Sequence, residues 1–212
     1  MPNQKSTAQT NTQENSQAKQ AKRVITFDEL WDNYPHGSPC DEKLYPNQCS
    51  IRVGVALQRC GVSFATYKGK GYAHCAVPSH TKEVHAIRVE ELADWLNKRY
   101  LAGWPAPTDI TGKDWLEKAK GKKGVIFFKD YWRRMIKDAS GKEHPESSPT
   151  GDHIDLWNGS RLTYPDLEHF AANALRFNRI RHINSFSLDF TGIQLSFSDL
   201  AESKKILFWE LR

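Results

Sequence analysis

Apolar positions recur at three- and four-residue steps in the first half of the chain and as short runs or alternation in the second half. The earliest helical pattern is Phe27, Leu30, Trp31 and Tyr34. It follows Thr26 and Glu29 at the spacing of a capping box and is stopped by Pro35, Gly37 and Pro39. A second helix is predicted from Asn47 as N-cap through Ile51, Val55 and Ala56 to Gly61 as terminator, with Cys49 in its first turn. Its β-branched Ile51, Val53 and Val55 lower helix propensity, so burial must hold it. The clearest amphipathic helix covers residues 88–101, with Val89, Leu92, Ala93, Leu96 and Tyr100 on one side and Gly103 beyond its end. Thr111 and Asp114 predict a capped short helix over Trp115 to Ala119.

The second half reads differently. Gly124 to Phe128 is a buried strand, and His153 to Trp157 alternates as a half-buried strand ahead of Asn158-Gly159, a strong hairpin signal. Residues 137–150 form a polar insertion. A capped helix is predicted from Thr163 through Leu167, Phe170, Ala171 and Ala174, and late strands at Ser185 to Phe190 and Ile206 to Leu211. Helices first and antiparallel strands later define an α+β fold.

Residues 1–23 contain no aromatic or branched aliphatic side chain and are read as a disordered polar leader, with one folded domain over 24–212. The whole chain, 212 residues and 26% charged, carries +5. The leader alone accounts for +3, through Lys5, Lys19, Lys22 and Arg23 against Glu14, which leaves the body almost balanced. A phosphate-tracking surface is therefore poorly supported, and no nucleic-acid partner is expected. No apolar run approaches the roughly 20 residues of a membrane span, and the N-terminus lacks the apolar core of a secretory signal.

Cys40, Cys49, Cys60 and Cys75 form no Cys-x-x-Cys pair. A cysteine in a helix's first turn meets the positive end of the helix dipole and unpaired amides, which favour thiolate and can hold an oxyanion. That setting singles out Cys49 as a nucleophile, although a buried cysteine used as a small hydrophobe would look the same. His153, far away in sequence on a strand, is the complementary base, and Asp155 shares its face of that strand. A second acid depends on register. A two-residue loop at Asn158-Gly159 would set Tyr164 opposite His153, whereas a four-residue loop from Asn158 to Arg161 would set Asp166 there. Thr163 to Asp166 also has capping-box spacing, so Asp166 has a purely structural reading as well.

Four segments together resemble the fourth family of type VI secretion amidase effectors. They are Phe27 to Trp31, Asn47-Gln48-Cys49-Ser50-Ile51-Arg52, Gly124 to Phe128 with Asp130-Tyr131-Trp132, and Gly151-Asp152-His153-Ile154-Asp155-Leu156-Trp157-Asn158-Gly159. The resemblance implies a papain-like, NlpC-type cysteine peptidase fold with N-terminal helices packed on an antiparallel sheet. It implies cleavage of the amide between D-glutamate and meso-diaminopimelate in peptidoglycan stem peptides by a Cys-His-Asp triad, without cofactor or metal. The implied partners are the secretion machinery and a cognate immunity protein that blocks the active site, and the implied place of action is a target cell's periplasm. Carried onto this sequence, the nucleophile is Cys49 and the base His153. The family's aspartate falls near Tyr164, so Asp166 is the first candidate for the acid and Asp155 its rival.

Other groups carry plainer readings. His74, Cys75, His80 and His85 do not fit zinc spacings. Tyr67 to Tyr72 combines cations and rings that could lie along a glycan, but it reads first as a solvated turn. Trp31, Tyr34, Tyr131 and Trp132 are candidate groove or core aromatics, and Cys60 with Cys75 a candidate periplasmic disulfide that leaves Cys40 over. A non-catalytic glycan- or peptide-binding module on the same frame is the rival reading, against which the pairing of Cys49 with His153 argues.

Overall fold

The computed structural model describes residues 7–9, 17–19, 23–45, 47–69, 72–73, 85–132, 135–145, 147–163, 186–190, 193–197 and 200–212. They divide into two compact units, Met1–Ala106 with Leu211–Arg212, and Pro107–Glu210.

In the first unit, β1 (Thr7–Gln9) pairs antiparallel with β2 (Gln17–Lys19), within the segment expected to be a leader. Helix α1 (Phe27–Asp32) starts at the expected capping box. Thr26 Oγ1 accepts from the Glu29 amide, and the Glu29 carboxylate accepts from the Thr26 amide. The Phe27 amide is then satisfied by the carbonyl of Arg212 at 2.7 Å. Helix α2 (Cys49–Arg59) buries every residue from Ser50 to Leu57, which answers how a β-branched segment stays helical. It ends as the sequence predicts: Gly61 takes φ +83°, and the Val62 amide reaches back to the Leu57 carbonyl at 3.0 Å.

The short strands β3 (Tyr72–Ala73) and β4 (His85–Ala86) pair antiparallel. Helix α3 (Val89–Asn97) is shorter than its apolar pattern predicts, because Arg99 adopts φ +55° and turns the chain before Tyr100 can join the helix. The Arg99 side chain donates from Nε to the Trp104 carbonyl at 3.3 Å and holds that turn. Tyr67 is buried rather than solvated, packed with Phe64 and Trp95. Burial, followed by the charge of Glu91, pushes its phenol above the usual range.

The second unit is built on a four-stranded antiparallel sheet of order β5-β12-β6-β9, formed by β5 (Thr108–Asp109), β6 (Gly124–Trp132), β9 (Gly151–Trp157) and β12 (Lys205–Glu210). Helix α4 (Trp115–Ala119) lies where expected, but Thr111 does not cap it. Its hydroxyl is engaged with Asp109 and accepts the Ile206 amide at 2.8 Å, so this residue ties the sheet edge instead. On one face, Trp115 meets Phe128 and Trp157 edge-on at 5.1 and 5.8 Å, and Trp157 Nε1 donates to the Ala119 carbonyl at 2.8 Å. Ile110, Ile126, Leu162, Ile206 and Phe208 complete this core. Strand β9 is buried on both faces from Ile154 to Trp157, not alternately exposed, because Ile154 and Leu156 on the opposite face are covered too.

The polar insertion folds as a hairpin of β7 (Met135–Lys137) and β8 (Glu143–Pro145), with Asp138 accepting from Ser140 and Lys142 amides in its turn. The late strand is β10 (Phe186–Phe190), paired with β11 (Ile193–Phe197). The helix expected after Thr163 lies outside the described residues. Gly124 has no room for a side chain, since a Cβ there would sit 2.0 Å from the Trp209 carbonyl oxygen. Gly124→Ala should therefore cost about 2 kcal/mol or more and lower the melting temperature by roughly 4–8 °C. An unchanged melting curve would contradict that packing.

Candidate active site

The sequence around Cys49 supplies an unusual helix start. Gln48, not Asn47, is the N-cap, and its side chain makes no capping bond. The amide is used elsewhere: Gln48 Oε1 accepts from the Cys40 amide at 2.9 Å, and Gln48 Nε2 donates to the Cys40 carbonyl at 2.8 Å. Both groups of one backbone unit are thus satisfied by one side chain, which is only 3% exposed. Arg52, one turn further along, donates from Nε to the Gly37 carbonyl at 3.1 Å and from Nη2 to Ser38 Oγ at 3.3 Å. Residues 37–40 are held along the first turn of α2 from both sides of Cys49. Cys40, Ile51 and Val55 form the apolar cluster beneath, with Tyr45 and Ile87 against it.

Cys49 is half-buried at the first helical position. The first backbone bond within reach of this turn is from the Arg52 amide to the Gln48 carbonyl at 2.8 Å. The amides of Ser50 and Ile51 belong to the first turn, whose N–H groups an α-helix does not use internally, and such amides can face developing negative charge. Cys60 is a contrasting thiol. Burial first, and the Glu29 carboxylate second, push it up to about 11, and its Sγ lies 3.4 Å from the Glu29 carbonyl. It carries no disulfide, while Cys75 lies outside the described residues.

In the second unit, the β6–β9 register sets His153 opposite Phe128 and Asp155 opposite Ile126, on the face that carries Trp157. His153 Nε2 is 3.7 Å from Asp155 Oδ2. The Asp155 carboxylate is 4% exposed and its other oxygen is fully engaged, accepting the Leu156 amide at 2.8 Å and the Thr163 hydroxyl. Two donors on Oδ1 fix the carboxylate plane and leave Oδ2 turned to the imidazole. His153 packs between Phe128 and Tyr131, with ring centroids at 6.4 and 6.2 Å. Next to it β6 bulges between Phe128 and Trp132, where Asp130 takes φ +49° and its amide donates to Asp152 Oδ1 at 3.0 Å.

The loop after β9 has four residues. A bridge between Trp157 and Leu162 closes it, and Asn158 Oδ1 accepts from the Ser160 and Arg161 amides inside it. This is the register from which Asp166 was expected opposite His153; Asp166 itself lies outside the described residues. Among the four candidate aromatics, Tyr131 borders His153, Tyr34 is core, Trp31 packs on Phe27 at 5.5 Å, and the side chain of Trp132 is not described. Of the histidine and cysteine group, His85 is buried in β4 and the other three lie outside the described residues.

Periodicity could not reveal the roles of Gln48, Arg52 or Thr163, since each is a buried polar residue whose partner is distant in sequence or on backbone. The available signal was Arg52 itself, a lone cation inside the apolar run from Ile51 to Leu57.

The family model for type VI secretion system (T6SS) amidase effector protein 4 matches residues 45–209. Among solved structures, the crystal structure of the type VI effector Tae4 from Enterobacter cloacae is similar, with 16% identity, a TM-score of 0.45, and coverage of 90% of this chain and 98% of that one. The type VI effector-immunity complex Tae4-Tai4 from the same organism gives 17% identity, a TM-score of 0.46, and coverage of 90% and 100%. No curated protein matches the sequence.

Two consequences follow from the packing around the thiols. Gln48→Ala strips both partners from a buried backbone unit and should cost about 2–4 kcal/mol in denaturant unfolding, whereas a loss below about 0.5 kcal/mol would show the clamp to be idle. With iodoacetamide at pH 8, Cys49 should be alkylated first. Cys60 should react at roughly a hundredth of the rate of an ordinary thiol, in line with its raised pKa; equal rates at the two sites, read by peptide mapping, would contradict the contrast.

Proposed function

Because the chain belongs to the family of type VI secretion system amidase effector protein 4, we propose that residues 24–212 form a papain-like, NlpC-type cysteine amidase. Its proposed substrate bond is the amide between D-glutamate and meso-diaminopimelate in peptidoglycan stem peptides. The observation that carries this reading is Cys49 at the first position of α2, inside the matched segment.

In the proposed reaction the Cys49 thiolate attacks the amide carbonyl, and the backbone amides of the first turn receive the charge that builds on oxygen. His153, having taken the thiol proton, returns it to the leaving amine. The thioester that remains is hydrolysed by water, for which His153 acts as base, and the thiol is restored. The imidazole needs an acid on its other nitrogen to fix its tautomer. Asp166 is the first candidate, favoured by the four-residue loop, and Asp155 the rival, favoured by its 3.7 Å approach to Nε2. No step calls on a metal or cofactor.

As an effector of this family the protein would be exported by the type VI machine and act in the periplasm of target bacteria, and its producer would need an inhibitor. The relative from Enterobacter cloacae crystallised as an effector-immunity complex supports a cognate immunity protein as that inhibitor. Among the described residues, no helix is long and apolar enough to cross a membrane.

Purified peptidoglycan and quantified stem-peptide fragments test the reading. Cys49→Ala and His153→Ala should each lower fragment release by about 10³-fold or more with an unchanged circular-dichroism spectrum. Asp166→Asn and Asp155→Asn compared in the same assay identify the orienting acid as the one whose loss is about 10²-fold or greater. Full activity of the folded Cys49→Ala protein would end the proposal.

A further inference from the structure

Arg52 is a charged side chain only 8% exposed, in a helix whose neighbouring positions are all buried. Burying a guanidinium is costly unless something compensates it. Its two bonds are to neutral groups, the Gly37 carbonyl and the Ser38 hydroxyl. Among the described residues no carboxylate lies within ion-pair distance of it. Glu42 is reached only through the Ser38 hydroxyl, which donates to it. Two of the five guanidinium N–H groups are thus used, one on Nε and one on Nη2, and among the described residues the others have no hydrogen-bond partner. Arg52 follows Cys49 by three residues in one helix, a spacing that places the two on a shared side with Cβ atoms about 5–6 Å apart.

A guanidinium oriented by two bonds to neutral groups, with N–H donors left over and its charge uncompensated, is suited to a planar anion. We propose that Arg52 is a substrate-binding residue that takes a free carboxylate of the stem peptide next to the scissile amide. The proposal rests on the amidase reading for its substrate, and it names the feature selected: a carboxylate rather than its amide. The bonds to Gly37 and Ser38 give the guanidinium its orientation in advance, so little side-chain freedom is lost on binding.

Two synthetic stem peptides distinguish the roles, one with the D-glutamate α-carboxylate free and one with it amidated. Binding is measured by calorimetry in the Cys49→Ala background, so the readout does not require turnover. The free acid should bind about tenfold tighter or more, the range for a hydrogen bond to a charged group. Adding Arg52→Gln should bring the ratio close to one, and adding Arg52→Lys should keep part of it. If Arg52 only braces the 37–40 segment, its replacement would weaken both peptides equally and leave the ratio intact, which overturns the proposal. Equal binding of the two peptides to the Cys49→Ala protein overturns it as well, even if the Arg52→Gln chain does not fold. Failure of the amidase reading shows itself separately, as wild-type protein that cleaves neither peptide.

Discussion

The start of α2 depends on one buried side-chain amide. Gln48 donates to the carbonyl and accepts from the amide of Cys40, and in doing so it replaces the water that these two backbone groups would otherwise need. A bond pair of this kind has one good geometry, so the chain cannot slide by a residue along α2 without losing both bonds. Arg52 repeats the constraint one turn later through Gly37 and Ser38. Cys49 sits between the two anchors. Its backbone position therefore follows from the hydrogen bonds of its neighbours Gln48 and Arg52.

On the second unit the same logic is applied to a carboxylate. Asp155 is buried, so its charge must be met by donors, and two of them converge on a single oxygen. The oxygen left over faces His153. The ring is held in turn by Phe128 from the neighbouring strand and by Tyr131 at the bulge. Placing the bulge here re-aims β6 beside the histidine while the Trp115, Phe128 and Trp157 cluster keeps the sheet itself rigid. Regular strands below and irregular backbone beside the ring fit the proton-transfer role proposed for His153.

Much of this was legible in the amino-acid order where the signal is local. The capping box at Thr26, the span of α2 with its glycine stop, the buried strand at Gly124 and the shared face of His153, Asp155 and Trp157 all rest on periodicity or on contacts within a few residues. The errors have a common cause in tertiary partners. Thr111 has the spacing of a cap but bonds across the sheet to Ile206, 95 residues away. Tyr67 sits among turn residues but is drawn into the Phe64 and Trp95 cluster. Residues 88–101 carry a continuous apolar stripe, and only the left-handed backbone of Arg99 ends the helix early. The Gln48 clamp was invisible because glutamine's side chain met a backbone unit whose position no spacing rule encodes.

The proposed reaction passes through a covalent bond to the Cys49 sulfur. Rapid mixing with stem peptide, acid quenching and intact-protein mass spectrometry followed by peptide mapping measure it directly. A transient acyl adduct is expected, confined to the peptide that contains Cys49 and appearing before product accumulates. Product formation at full rate with no adduct on Cys49, or with the adduct on another residue, would contradict it.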